Sequence, residues 1–340
     1  MFFPGSPILT VEASFAEGVL LETLALSIMN YDSAVATAAA RMTGAAGGKP
    51  LAEMGSRRAS ERSAVSAARA AYIAGFSATS NLEAGRSYGI PTMGTAAHSF
   101  TLLHDSEADA FASQVAALGT DTTLLIDTYD IEQGVRRAIE VAGTELGAVR
   151  IDSGDLPVVV KQVRELLDSL GAHNTKITVT NDLDEYTVAA LASSPVDSFG
   201  VGTSVVTGSG SPTMGMVYKL VSRTDDNGNW VSVAKKSDGK ASVGGRKSVQ
   251  RRFNASGVAT AEVVLLGDGP DGDPETDPAG GKARNVLEQL VTHGEVNPAH
   301  IGSAGLQAAR ERCAKRIAEL PNVAQSLRRG DPALPTVFVD

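Results

Sequence analysis

The sequence predicts an α/β protein whose central part, over about residues 20–220, forms an α/β barrel that is either complete or partial. The first observation is a repeated order: an apolar, β-branched run ends in a short polar loop, and a helical stretch follows. The order recurs about every 20 to 30 residues, which is typical of the strand–helix units of a parallel sheet or barrel. The second observation is that every run ends in glycine, hydroxyl or acidic residues, namely near Thr95, Asp127, Asp152, Asn181 and Gly202.

These polar ends also predict where a ligand binds. In barrels and open parallel sheets, ligands bind at the carboxyl ends of the strands. Five such ends on one face therefore predict a polar pocket that suits phosphate.

The segments before the repeated units are read from their apolar spacing. Residues 1–12 predict an extended strand, and residues 14–43 predict a long helix with apolar residues on two stripes. Residues 44–51 are glycine-rich and predict a loop, and residues 60–75 predict a second helix.

The alternation of apolar runs and helical stretches ends after Tyr218. Three short runs predict antiparallel strands, joined by turns at 225–229 and 237–240 that contain Asn-Gly and Asp-Gly. Residues 267–282 are an acidic, Gly/Pro-rich stretch and predict a mobile loop. Residues 301–320 predict an amphipathic helix.

Composition restricts the class of protein. The chain has 340 residues, a formal net charge of −9 and a sequence pI near 5.2, so we expect no bulk attraction to nucleic acid or to an anionic membrane. Glutamates 12, 17 and 22 interrupt the most apolar region, so no bilayer span is predicted. Cys313 is the single cysteine, which excludes an internal disulfide, and a cytoplasmic location is expected.

The stretch "GAVRIDSGDL", residues 147–156, carries the strongest chemical signal. Alternate residues of a strand share a face, so Arg150 and Asp152 are predicted to point the same way. One interpretation is an internal salt bridge between them. The other gives the guanidinium a planar anion to bind, while Asp152 and Asp155 accept hydrogen bonds from sugar hydroxyls or hold Mg²⁺ through water.

Two further strand ends suit a phosphate or a sugar. In "SFGVGTS", Gly200 and Gly202 would let backbone N–H groups approach a phosphate, and Thr203 adds a hydroxyl. The stretch matches neither the dinucleotide-binding fingerprint nor a Walker A loop. In "TNDLDEY", Asn181 or Asp182 either caps a helix or contacts a ribose.

His98 stands three residues after Thr95, just past a Gly-Thr pair. It is either a hydrogen-bonded core histidine or a nucleophile at the strand end. Arg57 lies in the basic stretch 55–63, whose usual meaning is a solvated helix face.

Taken in order, the motifs carry a resemblance to a known family. They are "GTAAHSF", "LIDTYD", "VRIDSGDL", "TNDLDE" and "FGVGTSVVT…GMVYKLV", and together they closely resemble the nicotinate phosphoribosyltransferase family from "FFPGSPIL" to "LPTVFV". The resemblance implies a type II phosphoribosyltransferase fold, an irregular α/β barrel plus a partial α/β sandwich-like domain. The implied division is 1–19 for a remnant of the sandwich-like domain, 20–218 for the barrel and 219–340 for the rest of the sandwich-like region.

The resemblance also implies an activity. Enzymes of this family join nicotinate and phosphoribosyl pyrophosphate into nicotinate mononucleotide for NAD biosynthesis, release pyrophosphate and hydrolyse ATP with Mg²⁺, as homodimers with shared active sites. His98 matches the histidine that ATP transiently phosphorylates, and Arg57, Thr95 and Arg150 match positions that hold nicotinate. The implied phosphoribosyl side is formed by Asp152, Ser153, Gly154, Asp155, Asn181, Asp182, Gly202 and Thr203.

One departure and three alternatives accompany the resemblance. The family's initial segment, with a Thr-Asp-x-Tyr-like motif, has no counterpart here, so we expect the chain to start inside the family pattern, short by on the order of 100 residues. An inactive remnant is therefore one alternative. A nicotinamide or quinolinate phosphoribosyltransferase is another, although an acid substrate suits Arg57 and Arg150. A barrel aldolase or isomerase is the third, but the five strand ends carry no Schiff-base lysine or metal-binding cluster.

Overall fold

The computed structural model describes residues 1–236, 242–267 and 282–339. The turn predicted at 237–240 and all but the ends of the loop predicted at 267–282 lie outside these residues. The chain forms two compact units, one of residues 30–214 and one of residues 1–29 with 215–340. The α/β fold class is confirmed, whereas the division at 19 and 218 stays a prediction.

The first unit alternates strands and helices along the chain, as the sequence predicts. A long helix leads into it, and its sheet strands are two to four residues long. The elements are α1 (Phe15–Ala45), β1 (Leu51–Glu53), a 3₁₀ turn (Ser56–Arg58), α2 (Glu61–Ile73), β2 (Ala78–Thr79), α3 (Leu82–Tyr88), α4 (His98–Leu103), α5 (Glu107–Leu118), β3 (Thr123–Leu125), α6 (Ile131–Ala142), β4 (Ala148–Ile151), α7 (Leu156–Ser169), β5 (Lys176–Val179), α8 (Glu185–Leu191), β6 (Ser198–Val201), α9 (Thr203–Val206) and a 3₁₀ turn (Gly208–Gly210).

The six strands of this unit form one parallel sheet in the order β2-β1-β6-β5-β4-β3. The strands from β3 to β6 follow the order of the chain, and β6 then pairs with β1. A single parallel bridge from Thr79 to Thr92 adds the segment after α3 beside β2. In the described residues the sheet has two open ends, at the Thr92 segment and at β3, which fits the partial form of the predicted barrel.

The core of the unit explains the continuous apolar runs. Parallel strands that are covered on both faces bury every side chain that is not used at their ends. Val149 and Ile151 in β4, and Ile177 and Val179 in β5, are fully buried. The helices α6 and α7 each place one apolar face on this core, through residues such as Val135 and Val160.

Three local predictions are wrong, each for a physical reason. Residues 1–12 form no strand, because Pro4 and Pro7 cannot donate to a ladder and Gly5 turns the chain at φ 85°. The run that ends at Thr95 makes one bridge instead of a strand, and Pro91 interrupts it. The predicted loop at 44–51 ends in β1, since β1 and β2 are too short to show a period in the sequence.

The second unit contains the predicted antiparallel strands and the predicted helix near 301–320. The 225–229 turn joins its first two strands, and a four-stranded sheet has the order β11-β9-β10-β14. The elements are β7 (Ser222–Thr224), β8 (Trp230–Ser232), β9 (Lys247–Phe253), β10 (Ala259–Leu266), β11 (Lys282–Asn285), β12 (Val291–Thr292), β13 (Glu295–Val296), a 3₁₀ turn (Pro298–His300), α10 (Gly302–Ala318), a 3₁₀ turn (Asn322–Gln325) and β14 (Thr336–Val339).

The second unit has a small core of its own. Phe3, Ala259, Leu320 and Leu334 pack together in it. None of the helices in the described ranges combines the length and the apolar composition needed to cross a bilayer.

Candidate active site

The predicted site residues follow the carboxyl ends of the parallel strands. Because these strands are parallel, their carboxyl ends meet at one edge of the sheet. Arg57 follows β1, Asp152 follows β4, Asn181 follows β5 and Gly202 follows β6. The fold therefore places the predicted residues at the same edge, as the sequence pattern required.

His98 begins the short helix α4, and its side chain is 42% exposed, so it is not a core histidine. Its Nδ1 atom lies 3.2 Å from the hydroxyl oxygen of Thr128. Its Nε2 atom lies 3.8 Å from Oδ1 of Asp127 and 3.7 Å from Oδ2 of Asp152. The ring thus has a neutral hydroxyl on one side and two carboxylates on the other.

The carboxylate of Asp127 is held in place by two hydrogen bonds to one of its oxygens. Its side chain is fully buried, and Oδ2 accepts hydrogen bonds from the backbone N–H of Asp152 at 2.8 Å and from the hydroxyl of Ser153 at 2.6 Å. Its other oxygen, Oδ1, has no hydrogen-bond partner among the described residues and faces His98. A buried carboxylate oxygen left free in this way attracts a proton donor or a positive charge on the imidazole.

Asp127 carries no predicted role, although it stands at one of the five polar strand ends, in "LIDTYD". The available signal was an acidic residue at a predicted strand end. Its importance depends on β3 lying beside β4, which no local pattern shows.

Arg150 lies at the centre of a hydrogen-bond network, and it does share a face with Asp152. Its Nε donates to Oγ1 of Thr180 at 2.9 Å, Nη1 to Oγ1 of Thr95 at 2.6 Å, and Nη2 to Oδ1 of Asp152 at 2.9 Å. The internal salt bridge considered from the sequence is therefore present. A guanidinium has five N–H groups. The three contacts use one N–H each of Nε, Nη1 and Nη2. One N–H therefore remains on Nη1 and one on Nη2, and these two can bind the two oxygens of an anion.

The charge of Asp152 is stabilised by this network. Burial raises the pKa of its carboxyl, but hydrogen bonds from Thr180 and Arg150, with the nearby Arg150 charge, outweigh burial and lower the pKa below its ordinary value. Asp152 therefore faces His98 as a carboxylate at neutral pH. We call Thr95, His98, Asp127, Thr128, Arg150, Asp152, Ser153 and Thr180 the His98 cluster.

Arg57 is exposed in the 3₁₀ turn that follows β1. Across residues 1–236, 242–267 and 282–339, no ion pair involves its guanidinium. This arginine is available to an anionic ligand at the site edge, although it makes no hydrogen bond to the His98 cluster among those residues.

The remaining predicted residues follow the ends of β4, β5 and β6, and in the described part of the chain none has a side-chain hydrogen bond to the cluster. Gly154 and Asp155 are exposed after β4, and Asn181 and Asp182 are exposed at φ 84° and 40° after β5. Gly202 is the N-cap of α9, and Thr203 is the first residue of that helix. Neither Asn181 nor Asp182 caps α8: the cap is Asp184, which accepts hydrogen bonds from the N–H groups of Tyr186 and Thr187, so that prediction is wrong.

Gly200 serves packing and not phosphate access, contrary to the prediction. It is buried inside β6, and a Cβ there would lie 2.7 Å from Cγ2 of Thr180 and 2.8 Å from Sδ of Met54. The glycine therefore allows Thr180 to approach and hydrogen-bond to Arg150.

No group of three or more His, Cys, Asp and Glu side chains forms a metal cage in the described ranges. Mg²⁺ commonly binds through one or two carboxylates with the substrate phosphates and water completing its shell. Asp152, whose side chain is 32% exposed, and the exposed Asp155 fit that pattern.

Comparison with known proteins agrees with this geometry. The model of the nicotinate phosphoribosyltransferase (NAPRTase) family matches residues 50–260, which include the whole His98 cluster. The chain belongs to this family. Nicotinate phosphoribosyltransferase pncB1 of Mycobacterium tuberculosis is 53% identical over 99% of this chain and 73% of its own length. Nicotinate phosphoribosyltransferase of Bacillus subtilis is 41% identical over 75% of this chain and 54% of its own length.

Two solved structures share the fold of this family member. Human nicotinic acid phosphoribosyltransferase has a TM-score of 0.75 at 24% identity, covering 99% of this chain and 78% of its own. Nicotinate-nucleotide pyrophosphorylase from Pyrococcus furiosus has a TM-score of 0.71 at 24% identity, covering 88% and 73%. The predicted phosphoribosyltransferase-like α/β fold is thereby confirmed.

Proposed function

We propose that this chain is an ATP-dependent nicotinate phosphoribosyltransferase that makes nicotinate mononucleotide for NAD biosynthesis. The observation that carries the proposal is the position of His98, partly exposed at the edge of the parallel sheet with the carboxylates of Asp127 and Asp152 both near its Nε2. The names of the two relatives with 53% and 41% identity support the same activity.

His98 is the group that takes the phosphoryl of ATP in this proposal. A ring nitrogen attacks the γ-phosphorus, the bond to the ADP oxygen breaks, and ADP leaves. The imidazole becomes positively charged as the new P–N bond forms, and the carboxylates of Asp127 and Asp152 stabilise that charge. Water later cleaves the P–N bond and releases phosphate, which returns His98 to its starting state.

Nicotinate is held through its carboxylate. The two unused N–H groups of Arg150 and the exposed guanidinium of Arg57 supply charge-assisted donors, and the hydroxyl of Thr95 lies beside Arg150. The pyridine nitrogen then attacks the anomeric carbon of phosphoribosyl pyrophosphate, the C–O bond breaks and pyrophosphate leaves. Mg²⁺, when bound with the substrate, neutralises charge on the pyrophosphate.

The ribose and phosphate groups occupy the exposed loops beside the cluster. Ser153, Gly154, Asp155, Asn181 and Asp182 offer oxygen and backbone groups to hydroxyls, and the Gly202–Thr203 pair offers N–H and hydroxyl donors. A homodimer with shared active sites and a cytoplasmic location complete the proposal. Sedimentation of the purified chain would test the first, and cell fractionation would test the second.

A turnover assay separates this function from its alternatives. The chain is supplied with phosphoribosyl pyrophosphate, Mg²⁺, ATP and one of nicotinate, nicotinamide or quinolinate. We expect product from nicotinate and stimulation by ATP. A preference for either other pyridine would replace the proposal by a related phosphoribosyltransferase, and absence of all turnover would favour the inactive remnant.

Labelling with γ-³²P ATP tests the role of His98. We expect acid-labile, base-stable label on the wild-type chain and none on His98→Asn. His173→Asn is the matched control, because His173 is a 69% exposed histidine outside the His98 cluster. Equal labelling of the wild type and His98→Asn would contradict the role.

A further inference from the structure

A fully buried carboxyl group lies directly beneath the turn that carries Arg57. Glu53 is the last residue of β1, and its side chain is 0% exposed. Its Oε1 accepts a hydrogen bond from the backbone N–H of Gly55 at 2.5 Å, and its Oε2 accepts one from the hydroxyl of Thr79 at 2.6 Å. One side chain thus joins the end of β2 to Gly55, the residue directly before the turn.

A second series of hydrogen bonds connects Thr79 to the turn through Asn81. Oγ1 of Thr79 accepts the backbone N–H of Asn81 at 3.0 Å. The side-chain amide of Asn81 then donates to Oγ of Ser56 at 3.0 Å, while its oxygen caps α3 by accepting the N–H of Ala84 at 2.8 Å. Gly55 and Ser56, the two residues before Arg57, are therefore both tied to the ends of β1 and β2.

Close packing also restricts the position of the backbone at Gly55, directly before the turn. A Cβ on Gly55 would lie 2.2 Å from Cγ1 of Val206 and 2.8 Å from the carbonyl oxygen of Gly202, so the backbone of the turn is pressed against α9. Arg57 itself is exposed, and no ion pair holds its head group within the described ranges. Its place at the site edge is thus set by the backbone beneath it.

Burying a carboxyl has a cost that an apolar side chain would avoid. Leu51 and Ala52, the other residues of β1, are buried and apolar. An apolar residue at position 53 would suit this surrounding, but it would leave the N–H of Gly55 and the hydroxyl of Thr79 without their acceptor. What Glu53 adds to the fold is therefore the geometry of the turn.

We infer that Glu53, Thr79, Asn81 and Ser56 are positioning residues that hold Arg57 where it meets the carboxylate of the pyridine substrate. This inference rests on the proposed function. It adds that substrate selection depends on a hydrogen-bond network that does not itself touch the substrate.

Ser56→Ala is the first test, because it breaks the link to Asn81 and leaves the cap of α3 in place. We expect KM for nicotinate to rise about fivefold, the effect of losing one ordinary hydrogen bond. KM for phosphoribosyl pyrophosphate and kcat should change by less than about twofold. Ser60→Ala is the matched control, since Ser60 precedes α2 and its hydroxyl donates a hydrogen bond to the hydroxyl of Ser63, away from the Glu53 network.

Position 53 gives the second test. Glu53→Met removes both acceptors at similar size, and Glu53→Gln keeps an oxygen for Gly55 and places an amide against Thr79. We expect Met to raise KM for nicotinate more than tenfold and Gln to restore it to within about threefold of the wild type. Amide hydrogen exchange at Gly55 should be fast in the Met variant and slow in the Gln variant.

A double-mutant cycle with Arg57→Ala decides between positioning and general stability. If the network acts through Arg57, Ser56→Ala adds nothing to KM for nicotinate in the Arg57→Ala background. Additive effects, equal losses for both substrates, or a Met variant with normal KM would overturn the inference while the wild type remains active. A wild type with no nicotinate turnover would instead overturn the proposed function, and this inference with it.

Discussion

Oδ1 of Asp127 lies 3.8 Å from Nε2 of His98 and has no hydrogen-bond partner in the described part of the chain, while Oδ2 of the same carboxylate is held by two donors. The carboxylate is therefore fixed in place with one oxygen directed at the imidazole. A carboxylate in this position favours a proton on Nε2 of His98 over an unprotonated Nε2.

Asp127→Asn should slow phosphorylation of His98. The amide must keep its oxygen toward the N–H of Asp152 and the hydroxyl of Ser153, so its NH₂ group would face Nε2 and disfavour the Nε2–H tautomer. We expect the labelling rate with γ-³²P ATP to fall about ten- to a hundredfold. Ser153→Ala, which removes one donor and keeps the charge, should cost much less. A normal rate in Asp127→Asn would show that the pair does not orient His98.

Arg57→Ala should weaken nicotinate selectively. Loss of a charge-assisted contact to a carboxylate costs about 1.5–3 kcal/mol, so KM for nicotinate should rise roughly ten- to a hundredfold. KM for phosphoribosyl pyrophosphate should stay nearly constant. Arg58→Ala is the control, because Arg58 is exposed in the same 3₁₀ turn. If Arg58→Ala has the larger effect on nicotinate, the role belongs to that neighbour.

Gly200→Ala should disturb both stability and the site. The added methyl would meet Thr180 and Met54 at 2.7 and 2.8 Å, and overpacking of this kind costs about 1–3 kcal/mol of unfolding free energy. Because Thr180 bonds to Arg150, KM for nicotinate should rise as well. Gly44→Ala in α1, where a Cβ meets nothing within 4 Å, should leave stability unchanged or slightly higher. Urea unfolding of the two variants measures the contrast.

Glu53→Gln should change how stability depends on pH. Burial raises the pKa of Glu53 above its ordinary value near 4.5, although the hydrogen bonds from Thr79 and Gly55 oppose the shift. An acid with a raised pKa in the folded state contributes stability below its unfolded pKa, and this contribution is lost as pH rises through the folded pKa. The unfolding free energy of the wild type should therefore fall relative to that of Glu53→Gln as pH rises above about 4.5.

The contribution of Asp152 to the unfolding free energy should depend on pH in the opposite direction, because the folded-state pKa of Asp152 is lowered. Its stabilising contribution is present above the unfolded pKa and is lost as pH falls through the folded one. The deficit of Asp152→Asn relative to the wild type should thus shrink in acid. Urea titrations of both variants at the same pH values check the two signs together.

Glu262→Ala should strongly destabilise the second unit. Glu262 and Arg251 form a salt bridge of 2.9 Å with side chains 0% and 1% exposed. Removing one partner of such a pair typically costs about 3–5 kcal/mol because the other charge stays buried. Arg136→Ala, which breaks an exposed pair with Glu132, should cost about 0.5 kcal/mol or less. A double change to Arg251→Met with Glu262→Leu should recover most of the loss, and equal costs for both single variants would contradict the prediction.

The sequence by itself determined the features that depend on neighbours along the chain. The alternation of apolar runs and helices identified the parallel α/β unit, and the two-residue period of a strand put Arg150 and Asp152 on one face. The Gly-Thr pair before His98 predicted that this histidine lies at the edge of the sheet where the site forms. The short strands β1 and β2 were not predicted, because they have too few residues to show a two-residue period. The strand expected before Thr95 forms only one bridge in the described residues, since Pro91 interrupts it.

The tertiary structure alone decided which polar groups meet. Asp127 faces His98 only because β3 lies beside β4, and Arg150 reaches both Thr95 and Thr180 only because their strand ends converge. Glu53 accepts the hydroxyl of Thr79 because β1 pairs with β2 in a register that places these two residues side by side. Such contacts join residues far apart in the chain, and their geometry follows from strand register and close packing. A local pattern shows that a polar residue stands at a strand end, but not which partner the neighbouring strand brings to it.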